Sequence, residues 1–202
     1  MHSETDRDPT QAPSACPEAD RWSAAVEMYR HRYTFIAVGP RTGEDWLPDV
    51  AAIMRREVAD PRGWRGDDPE VGEPELLEDP AFPFRVPPVD EAGAAEWRSG
   101  LFEIPRRSVV RLLVMLATNE MNVTRQHGFP ERRADMERHA EAILSRFPGG
   151  STFFTNTRHG GENPDFYERA SGCWPLSQYH WDFGLLGVSG DEIGLVWSFD
   201  AS

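Results

Sequence analysis

Between Arg158 and Asp182 the chain gathers His159, Glu162, Asp165, Cys173, His180 and Asp182. A thiolate nucleophile needs a base to take its proton and an acid to orient that base. Cys173, one of the two histidines and Asp182 can therefore be written as a Cys–His–Asp set. The spacing does not specify it: Cys173 precedes Trp174-Pro175, which matches no cysteine-enzyme signature. The competing reading makes Cys173 a small buried residue and His180-Trp181-Asp182 the lead-in to a strand. His159, His180 and Asp182 lack the close His-x-x-x-His or Cys-x-x-Cys pair that a zinc site builds on, so no metal is expected. Asp135 and His139, four apart on a helix, read as a solvated ion pair.

Glu120 is the second place where chemistry could sit. Residues Pro105 to about Thr124 read as a helix that is apolar on most of its circumference. At about 100° per residue, Arg107, Arg111, Thr118, Asn122 and Arg125 form a polar stripe. Glu120 falls opposite, among Val109, Leu113, Leu116 and Ala117. A carboxylate there is costly unless paired, and a shifted pKa would mark a site. Alternatively the helix ends near Thr118 and frees Glu120 to face solvent.

The third group is acidic. Residues 60–100 hold eleven carboxylates against four arginines, a net −7, together with seven prolines. So many prolines predict a long loop, pinned by Trp64, Phe82, Phe84 and Trp97, rather than regular structure. Asp67, Asp68, Glu70 and Glu73 would capture a basic partner by charge, and Trp64 and Trp97 would hold it as aromatic anchors.

These residues must be positioned by a fold. Met1 to Asp20 carries three prolines and five acidic side chains and reads as a disordered tail. A single domain is expected over 21–202. Tyr33 to Val38 reads as a strand closed by Gly39-Pro40, and Leu47 to Ala59 as a helix stopped by Asp60-Pro61. Pro130 to Phe147 reads as a helix with Met136, Ala140, Ile143, Leu144 and Phe147 on one stripe. Ser151 to Thr155 reads as a strand. The C-terminus FGLLGVSGDEIGLVWSFD reads as a hairpin turning at Ser189-Gly190-Asp191-Glu192 and buried on both faces. The fold class is therefore α+β, with helices packed on a mainly antiparallel sheet that includes the C-terminal hairpin.

Composition narrows the function. The 202 residues are 39% hydrophobic and carry a net charge of −13, from 34 acidic and 21 basic side chains. A surface of that sign repels phosphate backbones and anionic lipid, so neither nucleic acid nor membrane is an expected partner. Every basic residue is arginine. The absence of lysine removes the phosphate-loop lysine, Schiff-base chemistry and every lysine general base, and no cofactor is expected. Gly149-Gly150 follows a helix, whereas phosphate-cradling glycines open one. Two cysteines, Cys16 and Cys173, make no disulfide framework. With no apolar stretch at the N-terminus, a cytoplasmic location is expected.

Gly187-Val188-Ser189 and Ile193-Gly194-Leu195-Val196-Trp197, flanking an acidic turn, resemble the C-terminal strand pair of small immunity proteins from actinobacterial polymorphic toxin systems. The resemblance covers about Trp174 to Ser202. It implies a cytosolic protein that neutralises a toxin domain. A toxin that cleaves nucleic acid would tend to be basic, and an acidic partner is steered to it. The second reading is a small enzyme of specialised metabolism, with Glu120 or the His159, Cys173, His180, Asp182 group in a pocket. An inhibitor should offer an acidic face, and an enzyme a deep cavity lined by those side chains.

Overall fold

The computed structural model describes residues 17–30, 33–58, 78–168, 170 and 172–200. Its sheet is built from β1 (Thr34–Pro40), β2 (Phe102–Ile104), β3 (Thr152–Thr155), β4 (Trp181–Val188) and β5 (Glu192–Asp200). The spatial order is β1-β5-β4-β3-β2, and every neighbouring pair is antiparallel. The expected C-terminal hairpin, β4–β5, is thus the middle of the sheet. Its strands are apolar on both faces because both faces are covered.

Among the described residues five helices do the covering: α1 (Pro17–Val26), α2 (Leu47–Met54), α3 (Glu91–Ser99), α4 (Arg106–Leu116) and α5 (Phe129–Leu144). The first, fourth and fifth pack on the face carrying Ile36, Val38, Phe183, Leu185 and Val196. The second and third pack on the other face, against Phe35, Leu186, Leu195, Trp197 and Phe199. The fold is α+β, as the sequence predicts. Among the described residues no helix is long and apolar enough to cross a membrane.

Two central glycines let large rings sit on the sheet. A Cβ at Gly184 would lie 2.0 Å from the Trp197 ring, directly across in register, and one at Gly194 would lie 2.4 Å from the Phe147 ring on the opposite face. Only a residue without a side chain leaves room for either ring.

Several boundaries differ from expectation. α1 begins at Pro17, so residues 17–20 are helical rather than part of the tail; Trp22 and Ala25 are its buried stripe. The helix after β1 ends at Met54, not Ala59, because Arg56 turns to φ 58°, which no α-helix accommodates. The proline-rich stretch is not all irregular. Asp90 caps α3, its side chain accepting from the Gly93 N–H at 2.8 Å, and Trp97 drives that helix onto the core. β2, an edge strand of three residues, carries no sequence signal.

The largest departure is α4, which stops eight residues short of Thr124. Its last carbonyls are claimed by other elements. The Tyr29 hydroxyl donates to Leu113 O at 2.9 Å, and the Ser198 hydroxyl to Leu116 O at 3.0 Å. In a continuing helix Leu116 O would accept from the Glu120 N–H. Instead Thr118 is extended, and Asn119–Met121 and Val123–Arg125 are single 3-10 turns. The polar stripe therefore does not exist: Thr118 is buried, its hydroxyl donating to Met115 O.

Candidate functional site

Asp182 is the most deeply set of the candidate side chains, with no solvent exposure. It lies on the β4 face shared with Gly184 and Leu186, where its Oδ1 accepts from the Trp197 indole N–H at 3.0 Å and from Asn156 Nδ2 at 2.6 Å. The Leu176 N–H reaches the same oxygen at 3.3 Å, and the Ser177 hydroxyl donates to Oδ2. Asn156 carries the network further: its Nδ2 also donates to Trp174 O at 3.0 Å, and its Oδ1 accepts from the Gly184 N–H at 3.0 Å. Four donors on one buried carboxylate are what a structural tie requires. The network fastens the stretch from Asn156 to Ser177 onto the central hairpin.

Burial pushes the Asp182 carboxyl above its ordinary value of 3.8, with the hydrogen bonds from Ser177, Trp197, Leu176 and Asn156 pulling back only in part. The folded chain then holds a proton that the unfolded chain has released. The contribution of this group to stability falls as pH rises from 3.8 through the raised value. Asp45, held below its ordinary value with the Leu47 N–H as the main cause, acts in the opposite direction. A carbon-detected NMR titration should place the Asp182 midpoint above 3.8. A midpoint at or below that value would contradict the burial argument.

Cys173 lies nearby but is not paired with a histidine. It is half-buried, in a backbone bridge with Thr157, and burial pushes its thiol up; Asp182 and Arg158 are the charges that act on it. An activated thiol needs the opposite shift. His159 sits edge-on to Phe102 and Phe166, at 5.8 and 6.2 Å, and neither of its buried ring nitrogens has a hydrogen-bond partner among the described residues. It therefore bonds neither Cys173 nor Asp182. His180 is exposed. The four residues share a region of the fold without forming a relay. Among the described residues no group of three or more His, Cys, Asp or Glu side chains could hold a metal ion.

Glu120 is elsewhere, on the rim of an open cleft of about 260 Å³ between the turns after α4 and the start of β4. Glu120 and Met121 both adopt left-handed backbone, φ 52° and 48°, which costs about 1–2 kcal/mol for a side-chain-bearing residue. That pair of turns reverses the helical expectation. Met121 is buried and Glu120 points outward, 58% exposed at its side chain, in an ion pair with Arg125. Phe183 and Met121 form the apolar wall, and Asn122 shares the polar rim. Ala170 and Trp181, the latter with 47% of its surface exposed, complete the lining among the described residues. Sequence reasoning missed Asn122, Arg125 and Trp181 as partners of Glu120. The one available signal was alternation: with Asp182 facing one side of β4, Trp181 must face the other.

The acidic group is only partly in view. Trp64, Asp67, Asp68, Glu70 and Glu73 lie outside the described residues. Trp97 is 7% exposed, and its indole N–H donates to Arg85 O at 2.9 Å. It pins the segment to the core and offers no surface to a partner. Phe84 does the same, packed against Phe35, Trp197 and Phe199 at 5.1–6.2 Å. Glu57, just before the segment, and Glu78, Asp79, Asp90, Glu91 and Glu96, its described carboxylates, are all exposed.

No family model, no curated protein and no solved structure matches this chain.

Proposed function

We propose that this chain is an acidic cytoplasmic binding protein that neutralises a basic protein partner, in the manner of an inhibitor or immunity protein. The observation that carries the reading is the division of labour around residues 78–100. Phe84 and Trp97 go into the core, while Glu78, Asp79, Asp90, Glu91 and Glu96 stay in water. Acidic side chains carried by an anchored segment hold their negative charge at the surface, and such charge steers a positive partner and pairs with it. The net charge of −13 extends the field, and the likeness of the hairpin to immunity proteins points the same way.

The test is kinetic, with the purified product of the neighbouring gene as partner. Reversing Asp67, Asp68, Glu70 and Glu73 to arginine should slow association by about tenfold or more at low salt and change dissociation by less than about twofold. The difference should shrink above about 0.15 M salt, where the Debye length is roughly 8 Å. An association rate indifferent to the four reversals would show that these carboxylates take no part in capture and would overturn the reading.

A further inference from the structure

Arginine is handled repeatedly in one way in this fold: a guanidinium sits between an aromatic ring and a carboxylate. Arg146 lies 5.2 Å over Trp22 and bonds Glu192. Arg98 lies 5.7 Å over Trp46 and bonds Asp45. Arg133 and Arg111 flank the Tyr167 ring at 4.9 and 5.3 Å and bond Glu137 and Asp165. The ring face supplies quadrupole attraction and the carboxylate supplies charge-assisted hydrogen bonds, a combination that suits the flat, weakly hydrated guanidinium better than an ammonium.

The cleft beside β4 presents the same two components. Trp181 is its ring and Glu120 its carboxylate. Glu120 already accepts a guanidinium, that of Arg125, yet among the described residues no guanidinium stands over Trp181. Both partners of the Glu120–Arg125 pair are more than half exposed, at 58% and 57%, so the bond between them is weak and easily exchanged. The cleft, at about 260 Å³, has room for one long side chain and little more. An exposed tryptophan beside a carboxylate is also the kind of anchor on which interfaces concentrate their energy.

We infer that the Glu120–Trp181 cleft receives an arginine side chain of the basic protein partner, with Arg125 as an intramolecular placeholder that the incoming guanidinium displaces from Glu120. The inference rests on the binding reading above and adds to it a second contact, separate from the acidic segment and specific for guanidinium.

The roles assigned to Glu120 and Arg125 make opposite demands. With N-acetyl-arginine methylamide as the probe, NMR of the full chain should show saturable shifts of the Trp181 indole N–H, identified by its loss in Trp181→Phe. Arg125→Ala should tighten that binding by about two- to fivefold, the worth of an exposed ion pair. Glu120→Gln should weaken it by about threefold or more. The lysine analogue should bind more weakly than the arginine probe. All three substituted side chains reach solvent, so the variants should fold, and unchanged methyl spectra will confirm it. Weaker or unchanged binding in Arg125→Ala would overturn the placeholder role. Saturation by methyl glucoside in place of the arginine probe would identify a sugar cleft and overturn the proposal. Charge-sensitive association of the partner, combined with no response of Trp181 to arginine, would remove the cleft and leave the binding reading intact.

Discussion

Trp197→Ala is expected to destabilise the fold by about 3–5 kcal/mol, the usual cost of emptying a large buried aromatic site. Trp197 is fully buried at the centre of the sheet, seated on Gly184 and edge-on to Phe84 at 6.2 Å. Its loss opens a cavity between β5 and the layer of α2 and α3, and withdraws one donor from the buried Asp182 carboxylate. A domain of this size has about 5–15 kcal/mol of stability in all, so the variant should melt roughly 10–15 °C below the parent. Trp197→Phe separates the two losses. It keeps a six-membered ring in the site, removes the indole N–H and empties only the space of the five-membered ring, so it should cost less than the alanine change, about 1–3 kcal/mol. Gly184→Ala approaches the same contact from the facing strand and should destabilise as well, since its Cβ would sit inside the ring. An alanine variant that melts like the parent would remove the hairpin from the core.

The second large effect is expected at Arg146 and Glu192. The guanidinium Nε and Nη2 each donate to one carboxylate oxygen at 3.0 Å, and the side chains are 1% and 11% exposed. The pair joins the end of α5 to the hairpin turn, where the Ser189 hydroxyl accepts from the Glu192 N–H at 2.8 Å. Arg146→Leu takes the two guanidinium donors away from the buried Glu192 carboxylate, and Glu192→Leu takes the carboxylate away from the buried Arg146 guanidinium. Each should cost about 3–5 kcal/mol. The double variant should recover most of that loss, because replacing both charges with apolar side chains also removes the cost of burying them. Urea denaturation of the four proteins gives the coupling directly. Single costs that simply add in the double variant would show that the two charges stabilise the fold independently.

Much of the fold was legible because it rests on local patterns. The run from Thr34 to Val38 lies in β1, which continues two residues past the expected stop and pairs Gly39 and Pro40 with Ile193 and Glu192. The spacing of Met136, Ala140 and Ile143 marks one face of α5, and all three are buried. An apolar run such as FGLLGV, short, glycine-bearing and followed by a turn sequence, fits a strand covered on both sides. What was missed at this level had weak local signals. α1 has only Trp22, Ala25 and Val26 to mark it, and β2 is too short to show a period.

Composition and period by themselves determined the acidity, the absence of lysine chemistry, the α+β class and the buried hairpin. Each of these depends on residue type or on spacing along one segment. Only the tertiary structure decided where the candidate side chains go. Glu120 lies in an apolar helical register until Ser198 takes the Leu116 carbonyl, ends α4 and turns the carboxylate outward to Arg125. Trp97 looks like a surface anchor in an acidic loop until α3 carries it onto the core. Asp182 looks like a catalytic acid until Asn156, Ser177 and Trp197, from three separate segments, converge on it. In each case the outcome was set by a hydrogen bond or a packing contact between residues distant in the chain, and no pattern within a single segment encodes such a contact.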